Sequence, residues 1–317
     1  DGPRAISHHE FFLRLGQALI NVLSEATADG FVFRVDLRLR PNGASGPLAL
    51  SFAAMEHYYQ THGREWERYA FIKARACAGD RDAGDALLAS LRPFVYRRYL
   101  DYGTLDAIRA MKAMVAAEVA RKGMADNVKL GAGGIREIEF IAQTLQLIRG
   151  GRDPALQQRA TLAVLPALAR AGQLEPAVAQ ALTEAYEFLR NTEHRLQMVA
   201  DQQTHALPTD ETGRLRLAAG LGLGSVAELD AALMAQRTRV HRYFNALLAG
   251  VDYQRGTYDQ KSGSAYAAGP TLDLNNPVYG ADVADPPLYN DSYTVLSQTG
   301  LYLQEQAKIA ERLIVTV

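Results

Sequence analysis

The sequence has one cysteine, Cys77, and one tryptophan, Trp66, in 317 residues. A single thiol closes no disulfide within the chain, so the fold must be held by its core, as in a reducing cytoplasm. No apolar run approaches the roughly 20 residues of a membrane-spanning helix. Charge is almost balanced, 34 basic against 35 acidic side chains, which removes any bulk electrostatic case for a nucleic-acid partner. The 7 histidines show no metal-ligand spacing with cysteine or carboxylates. No serine or threonine sits in a nucleophile-elbow pattern. The chain starts at Asp-Gly-Pro-Arg, unlike a secretory signal, and ends at Leu-Ile-Val-Thr-Val. Both ends are expected to be cuts in something longer.

What is present is ordinary globular material, 48% hydrophobic and 22% charged, with room for two or three domains. Residues 1–250 predict an α+β, mostly helical region around one short sheet. Ser7 and Glu10 form a capping-box pattern ahead of Phe12, Leu15, Leu19 and Leu23 at helical spacing. Further helices are expected from Ser51, over 64–78, and over 82–92, 104–122, 134–149, 155–171, 175–200, 210–221 and 226–249. Alanine and leucine dominate there, a helical-bundle composition. After about residue 250 the character changes. Residues 251–317 hold 7 of the 15 tyrosines, no Phe or Trp, and 8 acidic against 4 basic side chains. Alternation over 298–309 and 312–317 predicts strands, so this β-prone tail reads as a separate entity.

Three stretches could carry chemistry. The first is Phe31 to Arg40, where Phe31, Phe33, Val35, Leu37 and Leu39 alternate with Val32, Arg34, Asp36, Arg38 and Arg40. That spacing predicts a strand with one buried face. Its other face would gather a carboxylate among three guanidiniums, suited to a phosphate and a metal ion, or simply to local ion pairs in solvent. The second is Trp66-Glu67-Arg68-Tyr69-Ala70-Phe71-Ile72-Lys73-Ala74-Arg75. Lys73 and Arg75 could reach phosphate oxygens; the plainer reading is an amphipathic helix with Glu67 in solvent. The third is Lys129-Leu-Gly-Ala-Gly-Gly-Ile-Arg-Glu-Ile-Glu-Phe at 129–140. Glycines leading into a helix offer free N–H groups to an anion. No Gly-Lys-Ser/Thr follows, so it is not a Walker loop. Glu137 and Glu139 would also complement the helix dipole without any ligand.

Together these stretches, from Phe-Arg-Val-Asp-Leu-Arg-Leu-Arg-Pro-Asn-Gly (33–43) through Gly-Arg-Glu-Trp-Glu-Arg-Tyr (63–69) to Gly-Gly-Ile-Arg-Glu-Ile-Glu (133–139), resemble the bacterial glutamine synthetase adenylyltransferase/adenylyl-removing family. The likeness covers about residues 1–249 and is to the N-terminal, adenylyl-removing half. It implies that 1–103 is the later part of a polymerase-β-like nucleotidyltransferase domain. It implies that 104–249 is a helical domain shared with PII-uridylyltransferases. The reaction implied is phosphorolytic deadenylylation of a tyrosine of glutamine synthetase, in the cytoplasm, as part of nitrogen regulation. Its cofactor would be Mg²⁺, its substrates inorganic phosphate and the nucleotide (ADP/ATP), and its partners glutamine synthetase and the PII signalling protein. No nucleic acid enters, and no membrane for residues 1–249.

Asp36 matches the family's third metal carboxylate, while the paired aspartates of its Gly-Ser-Asp-Ile-Asp-type motif have no counterpart. The fragment alone is therefore expected to be inactive. Catalytic roles for Arg38, Arg40, Lys73 and Arg75 follow from charge and position. So do phosphate or nucleotide contacts from Arg34, Lys129, Gly133, Gly134, Arg136 and Glu139. The alternative is a non-catalytic helical module that binds glutamine synthetase or PII. Residues 245–254 and 298–309 resemble barrel strands of TonB-dependent siderophore receptors. The tail over 250–317 is thus expected to be a poorly ordered barrel fragment, joined near Ala246–Gly250 as a chimeric artefact.

Overall fold

The computed structural model describes residues 6–98, 126–199, 202–247, 252–263 and 288–300, together with helical positions among 107–121. The chain divides into two compact units, the smaller spanning Ala246–Ala307. In the larger unit the helices are α1 (His8–Ser24), α2 (Phe52–Thr61), α3 (Glu65–Ile72), α4 (Arg81–Ser90) and α5 (Arg92–Val95). They continue with α6 (Ile135–Arg149), α7 (Thr161–Arg170), α8 (Pro176–Gln197), α9 (Glu211–Gly220) and α10 (Val226–Ala246). Five of these starts, including that of α10 where Ser225 accepts from Glu228 N at 3.1 Å, are set by short polar side chains whose oxygens accept an otherwise orphaned N–H. Ser7 accepts from Glu10 N at 3.1 Å, Ser51 from Ala54 N at 3.2 Å, Asp80 from Ala83 N at 3.0 Å and Asp210 from Gly213 N at 2.7 Å. No helix among the described residues is long and apolar enough to cross a membrane.

The mostly helical expectation holds, but the strand over 31–40 does not form. These residues lie outside any helix or strand, and Phe31, Val32, Phe33 and Leu39 are all more than half exposed. An extended segment needs a neighbouring strand to take its backbone N–H and C=O groups. Among the described residues of the larger unit no strand runs beside it. The alternation is real, but nothing covers the face it creates. For the same reason α1 buries none of its side chains, and Phe12, Leu15 and Leu19 stay exposed.

Two helices are shorter than their patterns suggest. The expected helix over 64–78 stops at Ile72, where Lys73 N and Ala74 N close tight three-residue turns on Ala70 O and Phe71 O. Over 155–171 the chain first makes a 3₁₀ turn at Pro154–Leu156 and becomes α-helical only at Thr161.

The core has two centres. Tyr59, Leu87 and Leu91 pack with Phe71 and Phe94 where α2, α3 and α4 meet. Farther along, Ile138, Ile141, Leu165, Leu168, Leu182 and Leu189 lie where α6, α7 and α8 pack. α3 joins the two: the Tyr69 ring stacks on Phe140 at 5.6 Å, and its hydroxyl bonds Thr144.

Arg68 is wholly buried at this seam. Its Nε donates to Val95 O at 3.0 Å and its guanidinium pairs with Glu65, which also meets Arg97 at 3.2 Å. Glu67 is buried too, against the expectation that it would be solvated. It accepts from Arg64 N at 2.8 Å and from Tyr58 OH at 3.1 Å, capping α3 from within. Burying these charges is tolerated because each is answered by a partner. Arg68→Ala removes the central partner, and denaturant unfolding should show a loss of about 2 kcal/mol, since Glu65 keeps Arg97. An unchanged midpoint would contradict the seam.

The smaller unit contains β1 (Asp252–Gly263) and β2 (Leu288–Gly300), paired antiparallel from Asp252 opposite Gly300 to Gly263 opposite Leu288, with a register shift between Ser262 and Gly263. Of the expected strands over 298–309 and 312–317, only 298–300 fall in β2; residues 301–317 lie outside the described residues.

Candidate functional site

The segment 31–46 folds onto itself. Asp36 accepts from Arg38 backbone N at 3.0 Å, from Arg38 Nε at 3.0 Å to each oxygen, and from its terminal nitrogen at 2.6 Å. Hydrogen bonds from Arg38, more than its bare charge, pull the Asp36 pKa down to about 2. Both groups remain exposed. Arg40 spends its donors on carbonyls of Gly46 (2.9 Å), Leu37 (2.8 Å) and Ala44 (2.9 Å), stapling the Gly-rich turn. Arg34 reaches Gln203. Among the described residues no three His, Cys, Asp or Glu side chains gather as metal ligands. The residues present therefore do not make a Mg²⁺ cage: Asp36 is a single carboxylate, and both of its oxygens are engaged by Arg38.

The glycine loop is built for its own helix. Gly133 has φ +70°, a left-handed conformation that favours glycine. A Cβ there would fall 2.0 Å from Arg237 O. Gly133 N donates to Glu137 Oε2 at 3.0 Å, and Glu137 meets His241 Nδ1 at 3.1 Å. The anion seat at the N-terminus of α6 thus holds a carboxylate of α6 itself, and Gly134 serves as its N-cap. Burial pushes the Glu137 carboxyl upward, opposed by His241 and the Gly133 N–H. Arg136 is exposed on the first turn of α6.

Lys129 faces the other way, 3.4 Å from buried Glu193, which also accepts from Arg190 and lies 2.9 Å from His205 Nδ1. Burial, then the charge of Lys129, holds His205 below the ordinary imidazole range, with Glu193 opposing. An imidazole whose folded pKa is depressed supplies its stability above about pH 6.5. That stability is lost as pH falls through the folded value. Thermal unfolding followed from pH 7.5 to 5 should show a fall in Tm that is shallower in His205→Gln. Parallel curves would contradict this.

The node that joins the two helical centres is Lys73. At the end of α3 its ammonium donates to Arg159 O at 2.8 Å and to Thr161 Oγ1 at 2.9 Å. Tyr186 on α8 donates to Glu139 Oε1 at 3.2 Å and also bonds Thr161. Burial lowers the Lys73 pKa, and the nearby Glu139 carboxylate counters it. An ammonium has three donors, and two are used here, which leaves one N–H for an incoming oxygen. The structure thus brings Lys73 and Glu139 together through Thr161 and Tyr186. Neither of the latter two carried a sequence signal, being an ordinary helix-start threonine and a mid-helix tyrosine. Arg75, two residues on, opens onto a neighbouring cleft. Asp36, Arg34, Arg38 and Arg40 make no hydrogen bond or ion pair with Lys73 or Glu139.

The comparisons with known proteins divide at this node. A family model described as glutamate-ammonia ligase adenylyltransferase matches residues 1–90, which include Lys73. A second, GlnD PII-uridylyltransferase, matches residues 109–248, which include Arg159, Thr161, Tyr186 and Glu139. Among curated relatives, the bifunctional glutamine synthetase adenylyltransferase/adenylyl-removing enzyme of Stenotrophomonas maltophilia (strain R551-3) is 59% identical over 249 residues, 78% of this chain and 27% of that protein. Proteins of the same description from Xanthomonas oryzae pv. oryzae (58%, 26% of its length) and Pseudomonas aeruginosa (55%, 25% of its length) align over the same number of residues. The chain spans about a quarter of the length of the curated relatives it matches. Over the region these matches share, the chain is similar to about a quarter of the length of the bifunctional glutamine synthetase adenylyltransferase/adenylyl-removing enzymes.

Proposed function

We propose that residues 1–249 serve an enzyme of nitrogen regulation that moves adenylyl groups on a tyrosine of glutamine synthetase, and that they belong to its adenylyl-removing part. In that reaction an oxygen of inorganic phosphate attacks the adenylyl phosphorus. A P–O–P bond forms, giving ADP; the bond to the tyrosine oxygen breaks, and that oxygen takes up a proton. The observation that carries the reading is the Lys73 node. One ammonium from the adenylyltransferase-like stretch is held by a carbonyl and a hydroxyl of the uridylyltransferase-like stretch. In-line transfer at phosphorus needs fixed positive charge beside the transferred group more than it needs covalent chemistry. Lys73 supplies a fixed N–H, and Glu139 with Tyr186 keeps the ammonium charged and oriented. Arg75 and Arg136 stand as further cationic candidates.

Residues 1–103 are read as part of a polymerase-β-like nucleotidyltransferase domain and 104–249 as the PII-uridylyltransferase-like helical domain. PII is proposed as a regulatory partner, and the cytoplasm as the location. Asp36, with both oxygens engaged by Arg38, does not fit a Mg²⁺ site. That misfit favours a second reading, a helical module that binds glutamine synthetase or PII without catalysis. The antiparallel strand pair of the smaller unit is the element that outer-membrane barrels repeat, and it supports reading residues 250–317 as a separate entity.

The test exchanges the aligned segment of the Stenotrophomonas maltophilia relative for that of this chain. Phosphate-dependent ADP release from adenylylated glutamine synthetase is then measured. The catalytic reading expects release within tenfold of the parent; a chimera that binds glutamine synthetase but releases no ADP supports the binding module instead.

A further inference from the structure

Beside the Lys73 node, Arg75, Arg81, Arg92 and Arg159 line one cleft of about 430 Å³. They come from four separate places: the turn after α3, the first residue of α4, the first residue of α5 and the loop before α7. Asp85 is the one acidic residue among the described lining. None of the four guanidiniums makes a hydrogen bond or ion pair with a described side chain. This sets them apart from Arg38, Arg40, Arg68 and Arg190, each of which hydrogen-bonds or ion-pairs within the fold. All four are exposed, so solvent screens their mutual repulsion, and together they offer an anion in the concavity a cluster of open donors.

We propose that this cleft binds a diphosphate group. Four guanidiniums less one carboxylate leave a surplus of three positive charges, close to the roughly three negative charges of a diphosphate at neutral pH. Guanidinium forks suit phosphate oxygens, which they grip two at a time. The volume lies within the range of small-ligand pockets and is too small for a folded partner. Leu88, Val95 and Tyr96 form an apolar wall beside the charges, with room for an organic group attached to the phosphates. Two sources carry this group, inorganic pyrophosphate and a nucleotide, and the chemistry of recognition is the same for both. The assignment stands on the cleft alone and does not depend on the adenylyl-transfer reading.

Calorimetric titration of the 317-residue chain with pyrophosphate, and separately with ADP, tests it at constant ionic strength. Saturable binding of at least one is expected, weakened at least tenfold in Arg92→Gln/Arg159→Gln. Tighter binding of ADP would identify a nucleotide and use of the apolar wall; equal or tighter binding of pyrophosphate would identify the inorganic anion. A footprint on the unaltered chain covers the case of a misfolded variant. Phenylglyoxal labelling of Arg75, Arg81, Arg92 and Arg159 should slow at least threefold with the tighter ligand, while Arg170 and Arg242 are unaffected. No binding of either anion, affinity unchanged in the folded double variant, or labelling that slows everywhere equally would overturn the assignment.

Discussion

Gly133→Ala is expected to cost the helical region at least about 3 kcal/mol, at the upper end of what single substitutions do. Three effects fall on one atom. The backbone sits at φ +70°, which an alanine adopts only with strain. The new Cβ would meet Arg237 O at 2.0 Å, and that neighbour is main chain of α10, not a side chain that can swing away. Any retreat of α10 also pulls Arg237 Nε from Ala132 O, now 3.0 Å apart, and His241 from Glu137. Urea unfolding measures the loss. Gly172→Ala is the control, with a similar φ of +67° but nothing within 4 Å of its Cβ. It should cost only the backbone strain, about 1 kcal/mol. Equal losses at the two positions would show that close packing against α10 is not what fixes Gly133.

Lys73→Met should lower the rate of phosphate-dependent ADP release by the segment-exchanged relative at least about 100-fold, the scale seen when one preorganised donor to a transition-state charge is removed. Methionine keeps the length and apolar stem of lysine but has no donor. The effect should fall on kcat and leave the KM for adenylylated glutamine synthetase nearly unchanged, because the proposed N–H meets the transferred phosphoryl group and not the protein substrate. Lys73→Arg should restore part of the rate. A merely structural lysine, tying α3 to the loop before α7, would give a different pattern. Tm would fall with both substitutions and kcat would follow the folded fraction. Recording Tm beside kcat separates the two.

Much of the helical order was legible because it is local. Ser7, Ser51, Asp80 and Asp210 announce their helices through side chains that bond the next turn, and the apolar spacing of Ile135, Ile138 and Ala142 announces α6. The run 31–40 shows where such reading stops. Alternation says what a segment would do beside a partner strand, not whether one is there. The fate of charged side chains was harder still. Arg40 looks the same in sequence whether it grips a phosphate or three loop carbonyls, and here it grips carbonyls. Glu137 looked like a helix-dipole residue and proved to fill the seat that an external anion would take. The Lys73 node was half legible: Lys73 and Glu139 stood out by charge, but Thr161 and Tyr186 lie 88 and 113 positions from Lys73 and become neighbours only through the packing of α7 and α8. The arginine cleft was invisible beyond Arg75, since Arg81, Arg92 and Arg159 belong to no motif.

Lys73 and Glu139 are proposed to act as one phosphate-handling unit. A double-mutant cycle tests it most directly, comparing ADP release by the exchanged enzyme carrying Lys73→Met, Glu139→Gln and both changes. Glu139→Gln alone should slow release, and the double variant should be no slower than Lys73→Met, because the carboxylate acts through the ammonium. Rate losses that multiply in the double variant, as for two independent groups, would show that Lys73 and Glu139 do not act together.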